Sequence, residues 1–216
     1  MSGRFLVLEG IDGCGKTTQL RHLANWLPRS GLMPEGARLH LTREPGGTAL
    51  GMALRKLVLH PPGDASPEPL AELLLYAADR AQHVAQLIRP ALEQGHWVLS
   101  DRFSGSTLAY QGYGRELDLD LIQQLEQIAT AGLVPDLTFW LELPVEESLL
   151  RRDARSNDRI EAEGVDFLTR VATGFAVLAR ERSWVPLQAD QQVESVSSAL
   201  ESQLKHHFGP LQESMR

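Results

Sequence analysis

Gly10-Ile11-Asp12-Gly13-Cys14-Gly15-Lys16-Thr17, followed by Thr18, fits the pattern G-x-x-x-x-G-K-[ST]. It lies between a short apolar run, Phe5 to Leu8, and a stretch with Leu20, Leu23, Ala24 and Leu27 at helical spacing. A glycine-rich turn that merely caps a helix is the plain alternative, but the strand before and the helix after give the phosphate-binding mechanism the context it needs. Glycines allow backbone amides to turn inward around a phosphate, and the helix offers the positive end of its dipole. Lys16 then reaches the β and γ oxygens, and the Thr17 hydroxyl is a ligand for Mg²⁺. Gly10 through Thr18 are therefore the candidate nucleotide-binding residues. GTPases, ATPases and kinases share this loop, so the loop alone does not choose among them.

Working outward, Leu39-Thr42, Trp97-Ser100, Leu137-Leu143 and Val185-Gln188 read as further buried strands, each apolar or alternating and bounded by charged or turn residues. Helical spacing is expected over Pro69-Arg89, with Pro90 ending or kinking that helix. Further helices are expected over Leu119-Ala131, Val145-Arg152, Val165-Arg182 and Val193-Phe208. Strand and helix alternate, which predicts an α/β fold: a parallel five-stranded sheet with helices on both faces, since parallel strands need crossover connections. The Pro- and Gly-rich stretch His60-Pro67 reads as a surface loop between helices, so 1–216 is expected to form a single domain.

The chain has 216 residues, 43% of them hydrophobic, and a formal net charge of -7. An acidic balance argues against a general nucleic-acid or anionic-membrane binder, so anionic ligands must meet local positive charge. The single cysteine, Cys14, excludes an intramolecular disulfide and a cysteine-based zinc site, which suits a reducing, cytoplasmic setting. The apolar start is too short for a signal-peptide core, and no apolar run approaches the roughly 20 residues that span a bilayer.

An Asn-Lys-x-Asp segment of the kind that reads guanine is absent. Instead arginines recur where strands end and helices open: Arg43, Arg80, Arg102, and Arg151, Arg152, Arg155 and Arg159 late in the chain. Phosphoryl transfer between two anions needs such a clamp. Asp101-Arg102 also follows a buried strand, where open α/β sheets place ligands.

At these positions the chain resembles the thymidylate kinases. The resemblance is carried by Glu9 to Thr18, Thr42-Arg43-Glu44-Pro45-Gly46-Gly47-Thr48, Tyr76-Ala77-Ala78-Asp79-Arg80, Asp101-Arg102-Phe103, Ser106-Thr107-Leu108-Ala109-Tyr110-Gln111-Gly112 and Asp158-Arg159-Ile160-Glu161, in order along nearly the whole chain. It implies a P-loop kinase fold, transfer of the γ-phosphoryl group of ATP to dTMP with Mg²⁺, and a homodimer formed through helices such as the one near Leu70 to Ile88. By the same resemblance Asp12 faces the acceptor's 3′-hydroxyl, Arg43 holds its 5′-phosphate, Tyr76 lies on the thymine and Arg80 sits at the pyrimidine edge. Ser106, Thr107, Tyr110 and Gln111 complete that pocket, with Tyr110 crowding the place of a ribose 2′-hydroxyl. Asp101 orients the magnesium's waters, and Arg102 bridges the two phosphates.

Two features set this chain within or apart from the family pattern. Gly13 stands where some members carry an arginine, which matches the bacterial subgroup, whose catalytic arginines come from a short lid. Here the lid would span about 151–163, with Arg155 and Arg159 in those roles, although a solvated charged helix end is the usual fate of such a run. Phe103 replaces the usual tyrosine, so a hydroxyl hydrogen bond is lost while ring packing can survive. For Arg80 and Tyr76 the alternative is core packing plus a surface ion pair with Asp79 or Glu72. Cys14, beside amides and Lys16, is expected either to have enhanced thiolate character or to be buried and inert. The loop Gln188-Gln192 is expected to border the adenine. The rival functions are a kinase for another small acceptor and a nucleotide-dependent regulatory module.

Overall fold

The computed structural model describes residues 3–63, 66–151, 159–160 and 163–209. Five strands, β1 (Arg4–Glu9), β2 (Leu39–Arg43), β3 (Trp97–Asp101), β4 (Leu137–Glu142) and β5 (Val185–Gln188), form one parallel sheet in the order β2-β3-β1-β4-β5. The strand ranges expected from apolar patterning agree to within a residue or so at each end. Register aligns Leu8 with Asp101 and Asp101 with Arg43. The carboxyl ends of the three neighbouring strands therefore bring Glu9, the phosphate-binding loop, Arg43 and Asp101 to one edge, where ligands of open α/β sheets bind.

Alternation along β1 shows how both faces of the sheet are buried. Leu6 and Leu8 point into the larger core with Leu23, Leu27 and Leu99. Phe5 and Val7 point the other way, against Val84, Ile88, Val98 and Phe103. Successive side chains of a strand face opposite sides, so a central parallel strand must be apolar throughout.

The helices are α1 (Lys16–Trp26), α2 (Ala49–Leu59), α3 (Pro69–His83), α4 (Arg89–Glu93), α5 (Ser104–Thr107), α6 (Leu119–Thr130), α7 (Val145–Arg151), α8 (Val165–Glu181) and α9 (Val193–Phe208). Pro90 does not end the long helix. A wide π-helical stretch, Val84–Ile88, joins α3 to α4, and the chain stays helical to Glu93. The wide turn falls just before the position whose N–H a proline lacks, so the missing donor breaks no regular ladder. Two helical regions were not expected from periodicity. One is α2, capped by the Thr48 hydroxyl accepting from Gly51 N; the other is α5 with its π-helical continuation Leu108–Gly114.

Candidate active site

The phosphate-binding loop leaves β1 and enters α1 through backbone that glycine alone adopts easily. Gly10 has φ +142°, and a Cβ there would come within 2.6 Å of Leu141 O. Gly13 has φ +79°, and a Cβ would lie 3.1 Å from Ser148 O on α7, so this position is closed against α7 rather than open to a side chain. Ser148 Oγ donates to Asp12 O at 2.7 Å and ties the loop to that helix. The N-cap of α1 is Gly15, which has no side chain to cap it, and this leaves the first amides to an anion. Lys16 Nζ donates to Gly10 O at 3.0 Å and Ile11 O at 2.9 Å. The Thr17 hydroxyl is 3.4 Å from Asp101 Oδ2. Gly13, Gly15, Lys16, Thr17, Thr18, Arg43 and Asp101 line one groove.

Cys14 is buried, and burial pushes its thiol up despite the nearby Lys16 charge. Of the two expectations for this residue the structure bears out burial, and desolvation of a thiolate there opposes attraction to the ammonium.

Arg102 is the centre of the site. Its φ of 72° places a bulky residue in left-handed backbone, at a cost of about 1–3 kcal/mol that surrounding bonds must offset. Arg102 N donates to Leu8 O at 2.9 Å, and its carbonyl accepts from Ser100 Oγ at 2.7 Å. Nη1 donates to Gly10 O and Ser106 Oγ, both at 2.9 Å, and Nη2 to Asp12 Oδ1 at 2.6 Å. Tyr110 OH donates to Asp12 Oδ2 at 2.8 Å. Burial alone would raise the Asp12 carboxyl, but the charges of Arg102 and Lys16 and the bonds from Tyr110 and Arg102 outweigh it and hold it well below the usual carboxylate range. Burial and its bond to Asp12 keep Tyr110 neutral. Beneath this group lies Glu9, fully buried at the end of β1; burial pushes its carboxyl up, while Ser106, Arg102, Phe103 and Lys16 act against that.

Next to this centre, Tyr76, Arg80, Phe103, Ser106, Thr107, Tyr110, Gln111 and Pro45 line a second cavity. Tyr76 and Arg80, one helical turn apart on α3, both face it. Arg80 does not make the surface ion pair weighed for it. Its Nε donates to buried Glu44 Oε2 at 2.8 Å and its Nη2 to Phe103 O at 3.2 Å. Asp79 instead accepts from Gly46 N at 3.0 Å, and Glu72 accepts from Gln111 Nε2 at 2.8 Å and from Arg115. Glu44 Oε1 pairs with His83 Nδ1 at 2.9 Å, and His83 Nε2 with Thr42 Oγ1 at 2.7 Å. Burial, then the charge of Glu44, raises Asp79 to about 6.

Sequence reasoning missed Glu44, Asp79, His83 and Arg55. Glu44 and Asp79 stand inside the segments that carry the resemblance, but the sequence assigns no role to the first and only a surface pairing to the second. His83 lies three residues beyond Arg80, a spacing that shares a helix face. Arg55 donates to Pro45 O at 3.1 Å and lines both cavities. The Phe103 ring packs edge-on against Phe5 with centroids 4.9 Å apart, so ring packing does survive the missing hydroxyl.

Arg43 is exposed at the groove, with Nη2 3.6 Å from Met52 Sδ. Arg159 stands elsewhere: it binds Glu72 Oε2, and its Nε donates to Val58 O at 3.2 Å, while its neighbour Ile160 lines the second cavity. Arg152, Arg155, Asp158 and Glu161 lie outside the described residues. In the 188–192 loop, Ala189 O accepts from Arg151 Nη1 at 2.8 Å. Gln19 on α1 donates to Val193 O at 3.2 Å, which sets the end of that loop beside α1.

A thymidylate kinase family model matches residues 8–200. Over 216 residues the chain is 99% identical to the thymidylate kinase of Prochlorococcus marinus (strain MIT 9303), covering 100% of both. It is 68% identical to that of Synechococcus sp. (strain CC9605), covering 96% of this chain and 100% of the relative. The crystal structure of thymidylate kinase from Ehrlichia chaffeensis superposes with a TM-score of 0.74 at 32% identity, covering 94% of this chain and 99% of that one.

Proposed function

The chain belongs to the thymidylate kinase family, and on that premise we propose how its residues divide the transfer of the γ-phosphoryl group of ATP to dTMP. The enzyme gives dTDP and ADP. One observation carries the division of labour: the phosphate groove and the Tyr76–Arg80 cavity share Asp12, Glu44, Arg55 and Arg102. A donor on the loop and an acceptor in the cavity therefore meet at the Arg102 guanidinium.

In this reading Tyr76 lies against the thymine and Arg80 donates to its edge. Arg43 and Arg55 hold the acceptor phosphate. Thr107 and Gln111 close the pocket, and Tyr110 fills the space of a 2′-hydroxyl. Asp12 accepts from the 3′-hydroxyl; its carboxylate has about four lone-pair sites, and the bonds from Arg102 and Tyr110 leave capacity. Lys16 serves the β and γ oxygens, Arg102 spans donor and acceptor, and Arg155 acts from a lid at 151–163; Arg159 joins it only on leaving the pair with Glu72 that it makes here. The acceptor phosphate is already ionised near neutral pH, so no general base is needed and catalysis reduces to alignment and charge neutralisation.

Among the described residues no cluster of three or more His, Cys, Asp or Glu side chains could hold a metal. Thr17 and Asp101 fit Mg²⁺ nonetheless, because this ion takes one or two protein oxygens and fills its other positions with phosphate and water. Such an ion neutralises charge on the phosphates. Leu50 and Leu57 on α2 and Leu70 and Leu74 on α3 are exposed on that packed pair of helices, which supports a homodimer through them. No described helix is long and apolar enough to cross a membrane; we assign the enzyme to the cytoplasm, working as one domain.

The test is steady-state ADP release with dTMP and with other nucleoside monophosphates. Tyr76→Leu should raise KM for dTMP roughly tenfold, the loss of a stacked base, with kcat near wild type. An unchanged KM would remove the base from this cavity.

A further inference from the structure

We propose that Glu9 is a positioning residue for the transfer: through the Ser106 hydroxyl it aims the Arg102 guanidinium at the phosphates. The proposal rests on the reading of Arg102 above and names what holds that arginine in place. Glu9 Oε1 accepts from Phe103 N at 3.0 Å and Ser106 N at 3.1 Å, and Oε2 accepts from Ser106 Oγ at 2.6 Å. The carboxylate thus closes the turn just after the left-handed Arg102. Gly105 permits the approach, since a Cβ there would stand 3.0 Å from Glu9 Oε1.

A hydroxyl has one proton to give and two lone pairs. Burial opposes a charge on Glu9, but the backbone donors Phe103 N and Ser106 N and the charges of Arg102 and Lys16 favour the carboxylate, which takes the Ser106 proton and turns a lone pair toward Arg102 Nη1 at 2.9 Å. Ser106 therefore serves Arg102 rather than the acceptor nucleotide. Were Glu9 an amide, its NH₂ would face Ser106 Oγ as a donor; that bond would reverse, and the hydroxyl proton would no longer be held away from the Arg102 guanidinium, which cannot accept it. Glu9→Gln keeps the size and can keep both backbone bonds, so it isolates this polarity.

The experiment measures kcat and KM for both substrates in Glu9→Gln, Ser106→Ala, Ser106→Thr, the Glu9→Gln/Ser106→Ala double variant and Arg102→Ala, with thermal unfolding as the check on folding. A catalytic group displaced by about 1 Å can cost ~10²-fold. Glu9→Gln and Ser106→Ala should each lower kcat by ~10–10²-fold with KM for dTMP within about threefold, and the double variant should fall no further than either. Ser106→Thr, which keeps the hydroxyl, should restore kcat. Wild-type kcat in Glu9→Gln, or losses that multiply in the double variant, overturn the relay. A rise in KM for dTMP with unchanged kcat in Ser106→Ala would make Ser106 an acceptor ligand and also overturn it. If Glu9→Gln does not fold, the two Ser106 variants decide alone: full kcat in Ser106→Ala overturns the proposal, and loss with recovery in Ser106→Thr supports it. Arg102→Ala separates the two levels. Loss there beside a full-rate Glu9→Gln sinks only the Glu9 role, whereas full activity in Arg102→Ala sinks the reading of Arg102 and this inference with it.

Discussion

Arg80 and Arg43 are both assigned to the acceptor nucleotide, yet the fold treats them in opposite ways. Arg80 and Glu44 are each 3% exposed, and the guanidinium has two protein acceptors before any base arrives. Arg43 is at the surface beside a methionine sulfur. The edge of a base demands a donor at a fixed angle, so its arginine is locked during folding, and the entropy of ordering it is not charged again at binding. A phosphate accepts from many directions and attracts from a distance, so its arginine can stay loose. The His83–Glu44–Arg80 cluster is thus an investment in recognition that is also a risk to stability, because each member leaves a buried partner if removed.

That contrast can be broken most directly at Glu44. Glu44→Ala strands the Arg80 charge and the His83 nitrogen and should cost about 3–5 kcal/mol by urea denaturation; near wild-type stability would mean that Arg80 is not locked by this pair. Arg43→Ala should do the reverse. Unfolding should shift by no more than about 0.5 kcal/mol, while KM for dTMP rises about 10–100-fold, the loss of a charge-assisted bond; a large stability loss would show that Arg43 is structural. Asp79, beside the cluster, offers a finer test. Its carboxyl is raised from 3.8 to about 6 in the fold, so between those values the folded protein holds a proton that the unfolded chain has released. The stabilisation this gives is complete below 3.8 and is lost as pH rises through about 6. Asp79→Asn can still accept from Gly46 and should flatten the fall of stability across that window relative to wild type; identical slopes would remove the effect from Asp79. The smallest change is expected at Cys14, whose buried thiol should alkylate far more slowly in the native enzyme than in urea, as read by mass spectrometry. Fast labelling would show that the loop opens.

How legible each part was depended on how far apart its partners stand in the chain. The phosphate loop and all five strands could be read because their signals are local: a glycine pattern, and apolar runs bounded by turns. Asp101 and Arg102 could be placed because a strand end predicts a ligand edge. The Ser104–Gly114 helical segment escaped because Gly105, Gly112 and Gly114 weaken helical propensity. Its glycines are there for contacts from elsewhere: a Cβ on Gly105 would strike Trp184 at 2.4 Å, and one on Gly114 would strike Phe167 at 2.6 Å.

By itself, then, the amino-acid sequence determined the α/β sheet, the phosphate-binding loop pattern and the family. Only the tertiary structure decided which acid holds which base. Arg80 pairs with Glu44, 36 residues away, rather than with adjacent Asp79, and Arg159 with Glu72, 87 residues away. Periodicity reports which side of an element is buried, and a buried charge must then find a partner. Which partner it finds depends on loops and register that bring distant positions within hydrogen-bond reach, and no local pattern of residues carries that distance.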